Sequence, residues 1–140
     1  MQTVEKQPHG TEAWFRMVGT LMCEAANRAG LSPLVNVSLM ERYTDAGELS
    51  PGLEQGLRFD IIGGVATFRV GAHTGEAADI LVEVTSSASK TLNSLHSDNP
   101  EFELAFAKFE RTGEIRITGD MAKLGGWFLT VHDRIVDATH

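Results

Sequence analysis

The segment Ile62-Gly63-Gly64-Val65 constrains the fold more than any other part of the sequence. Two adjacent glycines accept the positive φ angles of a two-residue hairpin turn, so the flanking residues are predicted to pair as antiparallel strands. Pairing Ile62 with Val65 brings only apolar residues together on one face, namely Ile61 with Ala66, Phe59 with Phe68, and Leu57 with Val70. The other face carries Arg58, Asp60, Thr67 and Arg69. The hairpin therefore predicts a sheet with one buried side.

The closing segment, residues 113–137, is predicted to form a strand that turns sharply into a helix. Polar and apolar residues alternate over 114–118, and Gly119 ends this strand. Asp120 is a good N-cap for a helix whose apolar positions recur at helical spacing, namely Met121, Leu124, Phe128, Val131 and Ile135. Gly125 and Gly126 interrupt that helix at a cost of roughly 1 kcal/mol each relative to alanine. The pair therefore predicts that backbone, a ring or a ligand comes close there.

The first half of the chain supplies one helix and one more strand before the hairpin. Thr11 is a suitable N-cap for a helix that extends to about Ala29, and Gly30 follows it at the position where helices often end. The first alternating run then contains Val35, Val37, Leu39 and Tyr43. The composition of residues 45–56 predicts a loop.

The second half adds a strand and two short helices before the closing segment. Residues 80–84 alternate as a strand, and Ser86 or Ser87 is predicted to cap a short helix. Asn99 followed by Pro100 marks the start of another helix. We therefore expect an α+β fold in which helices cover one face of a five-stranded, mostly antiparallel sheet. Residues 1–140 are expected to form a single domain with a flexible tail at 1–10.

Charge and cysteine content exclude several classes of function. The chain has 12 Lys and Arg against 19 Asp and Glu, a formal net charge of −7, and no basic cluster to neutralise phosphates. Nucleic acids and anionic membrane surfaces are therefore not expected partners. The single cysteine, Cys23, cannot form an internal disulfide and fits a reducing compartment. Residues 1–10 have no apolar core and no run approaches the ~20 residues of a membrane span, so we expect a cytoplasmic protein.

The titratable residues show no catalytic signature and no spacing typical of metal ligands, and no cofactor is expected. Among the five histidines, His9 and His140 lie in the predicted tails and His73 lies in a loop. His96, with Asp98 and Glu101 nearby, could move protons near neutral pH, but such residues also collect at helix ends as caps. Capping is the favoured interpretation for His96, and His132 is assigned to the wet face of the last helix.

Aromatic residues indicate an apolar site more clearly than the titratable ones do. Phe102, Phe106 and Phe109 recur at helical spacing in the helix after Asn99, and Trp127 and Phe128 directly follow the glycine pair. These rings are expected to cover the apolar face of the hairpin. Such a stripe is usually core, but the glycine pair removes side-chain volume where the rings are densest. The candidate ligand-binding residues are Phe59, Phe68, Leu92, Leu95, Phe102, Phe106, Phe109, Leu124, Gly125, Gly126, Trp127 and Phe128.

The sequence GEIRITGDM, preceded by the phenylalanine-containing helix, resembles the turn from a strand into the last helix in the sterol carrier protein type-two family. The resemblance extends through ADILVEVTSSASKTLNSL and the RFDII hairpin, and covers roughly residues 55–128. The chain has Phe68 near the place of the family's usual tryptophan, and its segment between Leu95 and Gly113 is longer. The resemblance implies a five-stranded sheet under helices, which encloses an apolar tunnel for lipids, sterols or fatty acyl compounds without a cofactor.

Three functions fit these observations. The first is a non-catalytic binding or transfer domain for an apolar small molecule, with a partner enzyme in the same system. The second is an enzyme, an isomerase or hydrolase, that acts on a hydrophobic substrate through His96 or His132. The third is an accessory domain that fills its own cavity and acts through protein contacts. The sequence favours the first function and leaves the natural ligand and the oligomeric state open.

Overall fold

The structure, a computed structural model, describes residues 5–140, within which four α-helices, one 3₁₀ helix and six strands occur. The α-helices are α1 (Glu12–Arg28), α2 (Ser86–Leu92), α3 (Pro100–Thr112) and α4 (Phe128–Asp137), and the 3₁₀ helix is Met121–Leu124. The strands are β1 (Val37–Tyr43), β2 (Glu48–Ser50), β3 (Leu53–Ile62), β4 (Val65–His73), β5 (Ile80–Val84) and β6 (Ile115–Thr118). The chain thus has the predicted α+β composition.

One sheet contains all six strands: five follow the order β4-β3-β1-β5-β6, and β2 also pairs with β3. The pair β1–β5 is parallel and the others are antiparallel, so the mostly antiparallel sheet is confirmed. The sheet has one short strand beyond the five predicted, because part of the predicted loop at 45–56 forms β2. This short strand pairs with the first residues of β3, just beyond the part of β3 that pairs with β1. Glu48 pairs with Glu54, and Ser50 pairs with Leu53. Pro51 and Gly52 make the turn between the two strands, which composition alone assigned to a loop.

The hairpin has the predicted register. Ile62 pairs with Val65, Phe59 with Phe68 and Leu57 with Val70 across β3 and β4. Phe59 is fully buried, whereas Phe68 is half-buried under α1, at a point where Gly19 carries no side chain. The opposite face is polar, with Arg58 bound to Asp60 at 3.1 Å and to Glu76 at 3.0 Å. The sheet therefore buries one face against helices, as the sequence predicted.

The end of the chain differs from the prediction of one continuous helix. Asp120 does act as an N-cap, since its side chain accepts a hydrogen bond from the backbone N–H of Ala122 at 3.0 Å. The helix that it caps ends after a single 3₁₀ turn, because Gly125 adopts φ +104° and ψ 168°, which no helix accommodates. The last α-helix, α4, begins only at Phe128. The glycine pair therefore marks a break in the chain direction.

The other caps agree with the sequence in two cases out of three. Thr11 accepts a hydrogen bond from the backbone N–H of Trp14, and Asn99 accepts one from that of Glu101. The cap of α2 is Thr85, which accepts from Ala88 N–H at 3.2 Å, and not Ser86 or Ser87. The helix therefore begins one residue earlier than predicted with Ser86 as the cap, and two residues earlier than with Ser87.

The N-terminal segment is packed against the chain over the part that the structure describes. A flexible tail was predicted for residues 1–10, of which residues 1–4 lie outside the described residues. Gln7 forms a parallel bridge with Thr139, and its backbone exchanges hydrogen bonds with Ala138 and His140 at 2.9 and 2.8 Å. His9 packs edge-on against Trp14 with the ring centroids 4.5 Å apart. These contacts join Gln7 and His9 to other parts of the chain, and the flexibility of residues 1–10 stays a prediction.

Candidate functional site

An apolar cavity of about 690 Å³ lies between the helix-covered face of the sheet and the helices. Strands β1, β3, β5 and β6 form its floor, with side chains such as Leu39, Phe59, Val82 and Ile117. Helices α1, α3 and α4, together with α2 and the 3₁₀ turn, supply the other walls. The cavity thus occupies the space between the two layers of the fold, where the apolar face of each layer would otherwise meet.

Seven of the twelve predicted site residues line this cavity. They come from the hairpin, from α2 and α3, and from the segment around the glycine pair, and they are Phe59, Leu92, Phe102, Phe106, Gly125, Gly126 and Phe128. The sequence therefore located the correct elements around the cavity. Ligand binding by these seven residues stays a prediction.

The other five predicted residues lie outside the cavity wall. Phe68 packs under α1 and Phe109 is 8% exposed in the core beside β6. Leu124 is buried, and its carbonyl accepts a hydrogen bond from Trp127 Nε1 at 2.6 Å. The Trp127 ring packs on Phe59 with the centroids 5.5 Å apart. Leu95 uses its backbone carbonyl to hold a histidine of α4. These five residues pack behind the residues of the cavity wall and do not line the cavity.

The glycine pair lies at the rim of the cavity and not among the rings in its interior. Gly125 and Gly126 are both exposed, and a Cβ built on Gly126 would meet no atom within 4 Å. Leu129, also on the cavity wall, is 79% exposed, and Ala122 is exposed as well. Most exposed wall residues therefore come from 122–129, which identifies this segment as the open side of the cavity.

Glu41 is a cavity residue that the sequence analysis missed. It lies on β1 between Leu57 of β3 and Val82 of β5, on the helix-covered face of the sheet. Its side chain makes no hydrogen bond or ion pair within residues 5–140. Burial raises the pKa of its carboxyl from the ordinary 4.5 to about 7. The signal was present, since Glu41 takes the place of an apolar residue in the alternation between Leu39 and Tyr43.

A polar cluster lies next to Glu41 where α2 meets β1. Ser89 is 3% exposed, and its hydroxyl is 2.5 Å from the Tyr43 hydroxyl and 3.0 Å from His9 Nε2. Asn93 donates from Nδ2 to the Ser89 hydroxyl at 3.2 Å and to the Ser89 carbonyl at 2.8 Å. Burial lowers the pKa of His9 to about 4, so this ring is neutral at physiological pH. Ser89 and Asn93 also line the cavity and make this end of it polar.

The two histidines considered as acid–base groups have different positions. His132 lines the cavity, and its ring packs at a tilt against Phe102 with the centroids 4.6 Å apart. Its Nε2 donates to the Leu95 carbonyl at 2.8 Å, so its assignment to a wet face was wrong. His96 lies outside the cavity wall and pairs with Asp137 at 2.7 Å. This hydrogen bond to Asp137 raises the pKa of His96. His96 thus links the segment after α2 to the end of α4, and Asp98 and Glu101 are not its partners.

Metal-binding clusters and membrane-spanning helices are both absent from residues 5–140. No group of three or more His, Cys, Asp or Glu side chains in this range is placed to hold a metal ion. None of the helices in the same range is both long enough and apolar enough to cross a membrane.

Comparison with known proteins identifies the fold. Neither a protein-family model nor a curated protein sequence matches the chain. A crystal structure of sterol carrier protein 2 matches with a TM-score of 0.53 and 12% identity, over 93% of this chain and 98% of that chain. A structure described as a UbiJ-SCP2 ubiquinone synthesis protein matches with a TM-score of 0.48 and 13% identity, over 88% and 92%. The solution structure of sterol carrier protein domain 2 of Helicoverpa armigera gives a TM-score of 0.43 and 16% identity, over 99% and 98%.

Proposed function

We propose that this chain, whose fold is that of sterol carrier protein 2, binds one apolar small molecule in its cavity and carries it without chemical change. The observation that carries this proposal is the cavity of about 690 Å³ with its largely apolar wall. A space of this size lies within the range of roughly 300–1,000 Å³ that small-molecule sites occupy. Lipids, sterols and fatty acyl compounds are the ligand classes of suitable size and polarity.

The expected affinity follows from the apolar area that a ligand would bury. Removing ~350 Å² of apolar ligand surface from water at about 25 cal/mol/Å² provides roughly 9 kcal/mol. Losses of translational and rotational freedom reduce this value, which gives a dissociation constant on the order of micromolar. Such an affinity suits a carrier, because the ligand must also be released.

The polar groups of the cavity wall support transport over catalysis. The titratable side chains on the wall within residues 5–140 are Glu41 and His132. The Nε2 atom of His132 is held by the Leu95 carbonyl, and no nucleophile or second acid is paired with either group. The wall thus lacks the paired nucleophile and base that covalent catalysis requires. A partner enzyme and a cytoplasmic location stay predictions.

Binding is tested by native mass spectrometry and by titration with the neutral fluorophore Nile red. We expect purified protein to carry a co-purifying mass of lipid size, and the delipidated protein to bind Nile red at micromolar concentration. Absence of both signals would contradict the proposed function.

Gly126→Leu is expected to weaken Nile red binding by about tenfold while leaving stability within about 0.5 kcal/mol of wild type. The new side chain would extend from the cavity rim into open space, so it obstructs entry without a clash. The matched control is Ala107→Leu, which adds similar bulk to an exposed position of α3 outside the cavity wall. Equal probe affinity in both variants would place the binding site elsewhere.

A further inference from the structure

The cavity wall contains one ionisable group with no partner, and this group is an acceptor when ionised. Glu41 stands among apolar neighbours on the floor, and its cross-strand partners Leu57 and Val82 are 4% and 8% exposed. The adjacent arginine, Arg42, points to the other face of the sheet and binds Glu54 and Glu83. No cation within the described residues is therefore placed to neutralise Glu41.

The neighbouring polar groups leave a second acceptor without a partner. The hydroxyl of Ser89 is already engaged by Tyr43, His9 and Asn93. Asn93 uses Nδ2 for the Ser89 carbonyl and hydroxyl, and its Oδ1 atom has no partner in the part of the chain that the structure describes. When Glu41 is ionised, the two cavity groups that lack a partner, the Glu41 carboxylate and Asn93 Oδ1, accept hydrogen bonds and cannot donate them.

We infer that the cavity selects an apolar ligand that carries a hydrogen-bond donor, a hydroxyl or an amine, and that Glu41 receives that donor. This inference rests on the proposed function and specifies its ligand class. An acceptor that faces an apolar cavity without a protein partner costs free energy, which a ligand donor would recover on binding. A fatty carboxylate would bring a second negative charge to the same place, so Glu41 disfavours it. The raised pKa of Glu41 supports this assignment, since it reports a carboxyl that lacks compensating partners.

The test compares three ligands with the same saturated chain, decan-1-ol, decylamine and decanoate, as competitors of Nile red at about pH 8. Each is measured on wild type, Glu41→Leu and Glu41→Gln, with folding monitored by circular dichroism. The chain and its apolar contacts are constant, so differences in affinity report the head group. The control variant is Glu110→Gln, which removes an exposed carboxylate of α3 outside the cavity wall.

Glu41→Leu is expected to lower the affinity for decan-1-ol relative to decanoate by about tenfold, the effect of one hydrogen bond to a charged group. Glu41→Gln keeps an acceptor, so it should retain decan-1-ol, weaken decylamine by about tenfold and bind decanoate more tightly. If Glu41→Leu lowers the affinities for decan-1-ol and decylamine equally, any hydrogen-bond donor is sufficient. If it lowers the affinity for decylamine alone, the ligand is an ammonium compound.

The inference is overturned if Nile red binds and, in Glu41→Leu, the affinities for decan-1-ol and for decylamine, each taken relative to decanoate, both stay within about twofold of wild type. That result would leave the proposed function intact, because the apolar cavity would still bind its probe. If Nile red does not bind to wild type, the proposed function fails and the inference fails with it. Glu110→Gln should reproduce the wild-type order of the three ligands, and a change there would assign the effect to net charge.

Discussion

Gly119→Ala is expected to lower the free energy of unfolding by about 3–5 kcal/mol, measured by chemical denaturation with circular dichroism. Gly119 adopts φ +98°, a conformation that L side chains rarely take. A Cβ at this position would overlap the carbonyl oxygen of Asp79 and lie 3.1 Å from the Cα of Ile80. Both atoms belong to backbone, so neither can rotate away, and β6 would have to separate from β5.

The control for this prediction is Gly113→Ala, at the other end of β6. Gly113 also has a positive φ, +79°, as the C-cap of α3, but a Cβ there would meet no atom within 4 Å. Its replacement should therefore cost only the conformational strain, about 1–2 kcal/mol. Similar losses in the two variants would show that the close approach of Gly119 to β5 contributes little.

This close approach also explains the Gly-Asp turn that gave the sequence its resemblance to sterol carrier proteins. Gly119 lets the end of β6 touch the start of β5, and Asp120 then caps the 3₁₀ turn that leads to the rim of the cavity. The turn thus determines where the rim segment begins. Its conformational requirement is local, which is why it could be detected in the sequence.

The hairpin was predictable for the same reason. The register of Phe59 with Phe68 depends on the turn at Gly63-Gly64 and on period-two alternation, both of which are contained in a few residues. The strand β2 and the docking of Gln7 beside Thr139 could not be predicted in this way. Their hydrogen-bond partners come from segments whose position is determined only by the tertiary fold.

The cavity was predicted less completely than the fold. Helical spacing identified the apolar face of α3, and Phe102 and Phe106 do line the cavity. Phe109 lies on that same face but packs beside β6. Periodicity shows which face is buried, whereas the division between protein contacts and empty space depends on how the helix crosses the sheet. Glu41 could have been found from the sequence, because it is the one acidic residue among the otherwise apolar, inward-facing positions of β1.

Glu41→Gln is expected to stabilise the protein by about 3 kcal/mol at pH 8 relative to its effect near pH 4. The pKa of Glu41 rises from 4.5 to about 7 in the folded protein, so the folded state retains its proton to higher pH than the unfolded chain does. The contribution of the protonated carboxyl to stability is complete below pH 4.5. It is lost as the pH rises through about 7 and changes no further above that value.

The measurement is the difference in unfolding free energy between Glu41→Gln and wild type from about pH 4 to pH 9, since other titrations cancel in that difference. The titratable groups on the same side of the sheet as Glu41 include Tyr43 on the same strand, His9 hydrogen-bonded to Tyr43, and His132 on the cavity wall. Burial raises the pKa of Tyr43 and lowers that of His9 to about 4, so neither changes charge between pH 5 and 8. The exposed Glu110→Gln supplies the baseline for loss of one carboxylate. A pH-independent difference would mean that Glu41 is solvated in the cavity, and it would remove the energetic reason for Glu41 to receive a ligand donor.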